Sequence, residues 1–181
     1  MTYSRIARRI RVPLGFICAA IFLWLARPTW ISLAFGAVVM APGLWLRALA
    51  AGHVRKNAEL TTSGPYAYTR NPLYLGSILI AVGFAVAANT PWGGLLLIAM
   101  FLAIYLPVIR SEEAFLRGAF PGFDDYAEQV PRLLPRLTPA NRQAGSFSRE
   151  LYRKHREYNA LIGAGILLLA LVLKLMFILR A

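Results

Sequence analysis

Five apolar runs dominate this chain and leave it few ways to fold. They cover residues 12–26, 30–50, 73–88, 92–109 and 160–179. A helix needs about 20 apolar residues to cross a bilayer, within a range of about 17–25. The runs predict an all-α, polytopic transmembrane helical bundle of about five spans. The first and third runs are short for a span and borrow flanking residues. The length of 181 residues suits one integral membrane domain, 1–181. A secretory signal peptide is the rival reading of the first run. It is set aside because Arg27-Pro28-Thr29 is not a small-residue cleavage site.

The charges sort with the runs. Only 15% of residues are charged, yet the net charge is +12. Four basic residues lie in the N-terminal arm: Arg5, Arg8, Arg9 and Arg11. Four more lie near the second connection: Arg47, Arg55, Lys56 and Arg70. Nine fall between the fourth and fifth runs, from Arg110 to Arg156. Only three, Arg27, Lys174 and Arg180, fall on the other side. The positive-inside rule therefore predicts a cytoplasmic N-terminus and a multi-pass membrane protein. Basic residues spread over three segments, with no recognisable nucleic-acid module, argue against a nucleic-acid partner. The expected partner is the lipid bilayer.

Metal chemistry finds no support in the residue spacing. Cys18 is the only cysteine and sits in an apolar run, where a buried, inert thiol is expected. His53 and His155 lack metal-ligand spacing. The expected metal ligands are none.

Breakers set the local turns. Residues 88–94 form the tight turn of a helical hairpin between runs three and four. Asn89 or Thr90 is placed to cap the fourth span, with Pro91 in its first turn. Pro42-Gly43 is expected to kink the second span, and Pro107 to loosen the end of the fourth. Lys174 is expected to snorkel outward from the fifth. The approach to that span, residues 149–158, reads as a charged stop-transfer flank or as an interfacial helix on anionic lipid.

Two polar blocks carry the chemistry. In the first, Gly64-Pro65 forces a turn, and Pro72 starts a helix whose free N–H groups can meet an anion. Tyr66, Tyr68 and Tyr74 offer flat faces with hydroxyl handles. Such a segment suits a nucleotide-like cofactor, and it equally suits an interfacial aromatic belt. The second block begins with Arg110, Glu112 and Glu113 at the end of an apolar span. Ionisable groups there are costly unless paired, and are functional candidates. On a continuing helix, Arg110 and Glu113 are three apart and can pair, leaving Glu112 to point elsewhere.

The two blocks together resemble the isoprenylcysteine carboxyl methyltransferase family and related phospholipid methyltransferase-like membrane proteins. The residues are Gly64-Pro65-Tyr66, then Arg70-Asn71-Pro72-Leu73-Tyr74-Leu75-Gly76. They continue as Glu112-Glu113, Phe120-Pro121-Gly122-Phe123, Tyr126, Val130-Pro131-Arg132 and Pro135. The resemblance covers residues 45–139, a methyltransferase-like core. Residues 140–181 would then be a cytoplasmic linker and an additional C-terminal span.

The resemblance implies S-adenosylmethionine as cofactor, bound by Leu60, Thr61, Tyr66, Asn71, Pro72, Leu73, Tyr74 and Glu112 in segments on the cytoplasmic side. Arg110 is the nearest match to the family's substrate-side catalytic arginine, although its spacing to the glutamate differs. Asn71 departs from the family's usual histidine. It can donate and accept hydrogen bonds but cannot become cationic.

The implied function is methyl transfer to a lipophilic acceptor that enters from the bilayer. Carboxylate O-methylation of the isoprenylcysteine type is favoured, on a lipophilic small-molecule or prenylated substrate. Phospholipid N-methylation, and a non-catalytic membrane protein that keeps the fold, are the alternatives.

Overall fold

In a computed structural model of the protein, residues 15–55, 58–141 and 145–180 are described. The N-terminal arginines, the start of the first apolar run, Lys56 and Arg142 lie outside them. The described residues form helices and turns, with no strand among them. In chain order the helices are α1 (Gly15–Leu25), α2 (Trp30–His53), α3 (Pro72–Ala88), α4 (Pro91–Met100) and α5 (Leu106–Ala119). They are followed by α6 (Phe123–Gln129), α7 (Arg149–Lys154) and α8 (Tyr158–Ile178).

Three helices are long and apolar enough to cross a membrane: Trp30–His53, Pro91–Ala119 and Tyr158–Ile178. Gly15–Leu25 and Pro72–Ala88 are shorter apolar helices. The expected helical membrane bundle is therefore present, and the protein is an integral membrane protein.

Local sequence explains the helix ends. Thr29 and Ser32 form a reciprocal capping box at the start of α2, with bonds of 2.9 and 3.1 Å. Ser32 Oγ also donates to Ala87 O at 3.0 Å, tying the start of α2 to the end of α3. The α2 helix runs unbroken through Pro42. Asn89 ends α3 in the left-handed region, at φ 49°. Thr90 holds the N-cap position of α4 without a side-chain bond, and Pro91 fills the first turn.

The fourth apolar run extends further than its hydropathy suggests. It continues to Ala119 as one 29-residue helix, α4 through α5. At about 1.5 Å per residue it is about 44 Å long, so it outreaches a hydrocarbon core of about 30 Å. Its middle turn, Phe101–Tyr105, widens to a π-helix just before Pro107. Pro107 has no N–H to give the preceding turn, and the ladder there changes step.

Helices α2 and α3 pack antiparallel through facing glycines. A Cβ on Gly36 would lie 2.6 Å from Gly83 O, and one on Gly43 would lie 2.7 Å from Gly76 O. Small residues seven apart on both helices let the backbones approach, as membrane helix pairs require. The core of the bundle joins Phe22 of α1, Ala26 just beyond its end, Leu33 and Met40 of α2, Phe84 and Ala87 of α3, and Leu171 and Leu175 of α8. The opposite faces are apolar and exposed, including Ile31, Phe35 and Val38 on α2 and Ile166, Leu169 and Leu173 on α8. Apolar outer faces suit lipid rather than water.

Lys174 does not snorkel outward. Its Nζ donates to Leu23 O at 2.6 Å and Trp24 O at 2.9 Å, capping the carbonyl end of α1. Two open carbonyls at a helix end are stronger partners than a distant interface. The approach to α8 is also more than a flank. Ser148 N donates to Gly52 O at 2.9 Å, and His155 Nδ1 lies 3.0 Å from Ala51 O, so this segment packs on the end of α2.

Candidate functional site

The second polar block folds back beside the first. Arg70 N donates to Pro131 O, Arg136 N to Tyr68 O and Ala140 N to Ala67 O, each at 2.9 Å. The first block enters as a 3₁₀ turn, Gly64–Ala67, with Gly64 at φ 58°, a conformation that glycine adopts freely. Tyr66 in that turn is buried, and its carbonyl accepts a 2.8 Å bond from Tyr126 Oη. Phe123, Tyr126 and Val130 pack with Leu60 and Leu116 into a small core beneath this end. Burial pushes the Tyr126 hydroxyl well above its ordinary range. Burial, helped by the neighbouring Tyr126, does the same to Tyr66. Both stay neutral donors at physiological pH.

Glu113 lies at the junction of the two blocks, with 5% of its surface exposed. Its Oε2 accepts from Arg132 Nε at 2.9 Å, with Arg132 Nη2 at 2.7 Å. Its Oε1 accepts from Asn71 Nδ2 at 3.1 Å. Arg70 Nε stands 3.6 Å from the same oxygen, close enough for an ion pair but too far for a hydrogen bond. Asn71 Nδ2 also donates to Arg132 O at 3.1 Å. Thus both amide hydrogens of Asn71 are committed to the block junction.

The expected pairing of Arg110 with Glu113 does not form. Arg110 is exposed, whereas Glu113 turns inward to Arg70 of the first block and to Arg132 of the folded-back chain. Helical spacing alone allowed the pair, and tertiary partners with better geometry displaced it.

Above this junction is a cavity of ≈ 1020 Å³. That is at the upper end of the roughly 300–1,000 Å³ usual for small-molecule sites. Both blocks wall it. Leu60, Thr61, Tyr66, Asn71, Pro72, Leu73 and Tyr74 come from the first, and Glu112 comes from the second. Arg110 is not on this wall. Glu112 is exposed and makes no hydrogen bond or ion pair among the described residues. The α3 N-terminus opens here too, because the side chain of its N-cap Asn71 makes no capping bond. The apolar side of the cavity is built from Gly15, Phe16 and Ala19 of α1 and from Phe115 of α5. Phe16 and Phe115 are 74% and 57% exposed, so this wall meets the surroundings of the bundle.

Among the lining residues that the sequence did not mark as site residues are Arg47 and Glu157. Arg47 of α2 pairs with Glu157, at Nε–Oε1 2.6 Å. Arg47 Nη1 also donates to Ser77 Oγ at 2.5 Å and to Leu73 O at 3.2 Å. A charge inside an apolar run was the signal for Arg47. Its partner lies 110 positions away in sequence, beyond any spacing rule. No group of three or more metal-ligating side chains occurs among the described residues.

Residues 11–122 match the phospholipid methyltransferase family. The chain is similar to a nickel-cobalt-cadmium resistance protein of Alcaligenes xylosoxydans xylosoxydans, with 36% identity over 136 residues. That alignment covers 68% of this chain and 63% of the relative. A cobalt-zinc-cadmium resistance protein of Cupriavidus metallidurans is 34% identical over 137 residues, 71% of this chain and 62% of the relative. The chain thus spans a little under two thirds of the length of these curated relatives. No solved structure matches it.

Proposed function

The chain belongs to the phospholipid methyltransferase family, and from that premise we propose that it transfers a methyl group from S-adenosylmethionine to a lipophilic acceptor held in the bilayer. One observation carries the reading: a single cavity is lined by residues of both sequence blocks, among them Glu112, whose carboxylate has no hydrogen bond or ion pair among the described residues. The lining suits a cationic, amphoteric cofactor. Glu112 offers a carboxylate to an amino or ribose hydroxyl group. Tyr66 and Tyr74 offer flat apolar faces. The open α3 N-terminus favours a carboxylate. Asn71 contributes through its backbone and its Oδ1, because its amide hydrogens are already committed.

The bound cofactor would supply a methyl group on a sulfonium, a strong leaving group. The protein's work is then to hold acceptor and methyl donor close, aligned and dry. Phe16, Ala19 and Phe115 form the apolar flank along which an acyl or prenyl chain would lie. A carboxylate acceptor needs no general base, whereas an amine must lose a proton. The favoured acceptor is a carboxylate of the isoprenylcysteine type, and an amine headgroup is the alternative. Arg110, exposed and not on the cavity wall, is retained as a candidate substrate-side arginine. The basic residues clustered beside the site favour its facing the cytoplasm, where the cofactor is found.

Calorimetry of S-adenosylmethionine on detergent-purified protein tests the reading, with Glu112→Ala and Tyr74→Ala as comparisons. Saturable binding, weakened about tenfold or more by each substitution, is expected from loss of a charged hydrogen bond or a stacked ring. No binding at millimolar cofactor by folded protein refutes the methyltransferase reading and leaves a binding or assembly role. Mass analysis of lipids after incubation with labelled cofactor then separates O- from N-methylated products. The names of the two relatives favour a wider role in metal resistance. Unchanged cobalt, nickel and cadmium sensitivity in a deletion strain would refute that.

A further inference from the structure

Glu157 lies at the N-cap of α8, thirty-five positions beyond the end of the family match at residue 122. A carboxylate there is well placed to turn back on its own helix, where the N–H groups are free. It does not, and no side-chain capping bond is made. The carboxylate instead crosses to α2 and takes Arg47 Nε at 2.6 Å. Arg47 Nη1 in turn holds Leu73 O and Ser77 Oγ, both in the first two turns of α3. Ser77 Oγ closes the loop by donating to Leu73 O at 3.0 Å. Arg47, Leu73, Ser77 and Glu157 all line the cavity. The pair is largely shielded, with side chains 23% and 11% exposed.

The backbone before Glu157 is shaped for this. Helix α7 ends in a Schellman turn, with Arg156 N bonded to Arg153 O and Glu157 N to Tyr152 O. The left-handed position of that turn, normally glycine, is filled by Arg156 at φ 52°. A side chain held in that region costs conformational energy and persists only where its surroundings require it. The sharp reversal sends the chain straight from α7 into α8 and puts Glu157 over Arg47.

We propose that Glu157 is a positioning residue of the candidate site: it acts through Arg47 to hold the first turns of α3 against the cavity, so α8 is part of the functional unit rather than an added span. This rests on the reading of the cavity as a cofactor site. Arg47 Nη2 makes no hydrogen bond among the described residues, and Arg47 lines the cavity. Without Glu157, the guanidinium loses its anchor and the Leu73–Ser77 wall loses its brace.

The test compares wild type, Glu157→Gln, Glu157→Asp, Arg47→Gln and the double variant R47Q/E157Q, all full length in detergent. Two readouts are taken: S-adenosylmethionine affinity by calorimetry, and hydrogen–deuterium exchange of residues 71–77 without cofactor. Glu157→Gln should weaken the cofactor about tenfold, from loss of a charged bond. It should also raise exchange across residues 71–77, and Glu157→Asp should restore part of both. The double variant should be no weaker than Arg47→Gln alone, because both act through one group. Losses that multiply in the double variant, or a Glu157→Gln protein that binds and exchanges like wild type, overturn the proposal. If wild type binds no cofactor, the methyltransferase reading fails on its own. The exchange data then decide: unchanged protection of residues 71–77 in Glu157→Gln overturns the brace, and raised exchange upholds it.

Discussion

Replacing Glu113 with alanine should be among the most damaging single changes to this fold, and the structure sets its size. The carboxylate serves three partners, and each loss differs. Arg132 is 45% exposed and can return to water, so its share is on the order of 1 kcal/mol. Asn71 Nδ2 keeps its bond to Arg132 O, so its loss is also about 1 kcal/mol. Arg70 is the large term. Its side chain is 12% exposed, and its Nε already lacks a hydrogen bond. Taking away its counter-charge strands a buried cation, which typically costs about 3–5 kcal/mol. Allowing for relaxation, Glu113→Ala should cost on the order of 4 kcal/mol. For a chain of this size that corresponds to a fall of roughly 10 °C in melting temperature. Arg132→Gln should cost less than half as much, because Glu113 keeps Arg70 and Asn71. Thermal unfolding in one detergent, followed by circular dichroism, reads both. If Glu113→Ala melted within 2 °C of wild type, or Arg132→Gln were the worse variant, the inward-facing ion cluster would be wrong.

Burial raises the pKa of Tyr66 and Tyr126 above the ordinary value of 10.0. The unfolded chain therefore loses these protons first. Stability should be level below about pH 10 and fall above it, by about 1.4 kcal/mol per pH unit for each tyrosine. Tyr126→Phe should flatten that fall in a pH series of melting curves, and an unchanged slope would refute it. Gly83→Ala puts a Cβ 2.7 Å from Gly36 O and should cost about 1–3 kcal/mol. Gly163→Ala has nothing within 4 Å and should be neutral or stabilising by up to about 1 kcal/mol, so equal melting temperatures for the two variants would refute the close α2–α3 packing. Arg156→Gly should raise stability by about 1 kcal/mol by relieving the left-handed residue, and a lower melting temperature would count against the Schellman turn.

The sequence made the bundle legible because apolar runs and breakers are local signals. The hairpin at Asn89–Pro91 and the two polar blocks could be placed from neighbouring residues alone. The wiring of the site could not. Arg132 reaches Glu113 because residues 131–140 fold back along residues 67–70 through backbone bonds that carry no side-chain signature. Arg110 looked like the partner of Glu113 because helical spacing shows which residues can meet, not which way the helix is turned. Glu157 and Lys174 looked like surface charges for the same reason. Each finds its partner, Arg47 or the end of α1, through the packing of a helix that hydropathy describes only as apolar.

The wide turn at Phe101–Tyr105 also sets how the two halves of the 29-residue helix are phased. A π-turn carries roughly one residue more than the α-turn it replaces, and one residue is about 100° of rotation. The half bearing Leu95 and Ile98 is thereby turned out of register with the half bearing Glu112 and Glu113. The widened turn works as a phase shifter, letting one continuous rod show apolar side chains outward over its first half while aiming Glu113 inward over its second. Removing a single residue between 101 and 105 would leave every side chain of the site in the sequence, yet swing Glu113 away from Arg70 and Arg132 by about a quarter of a turn.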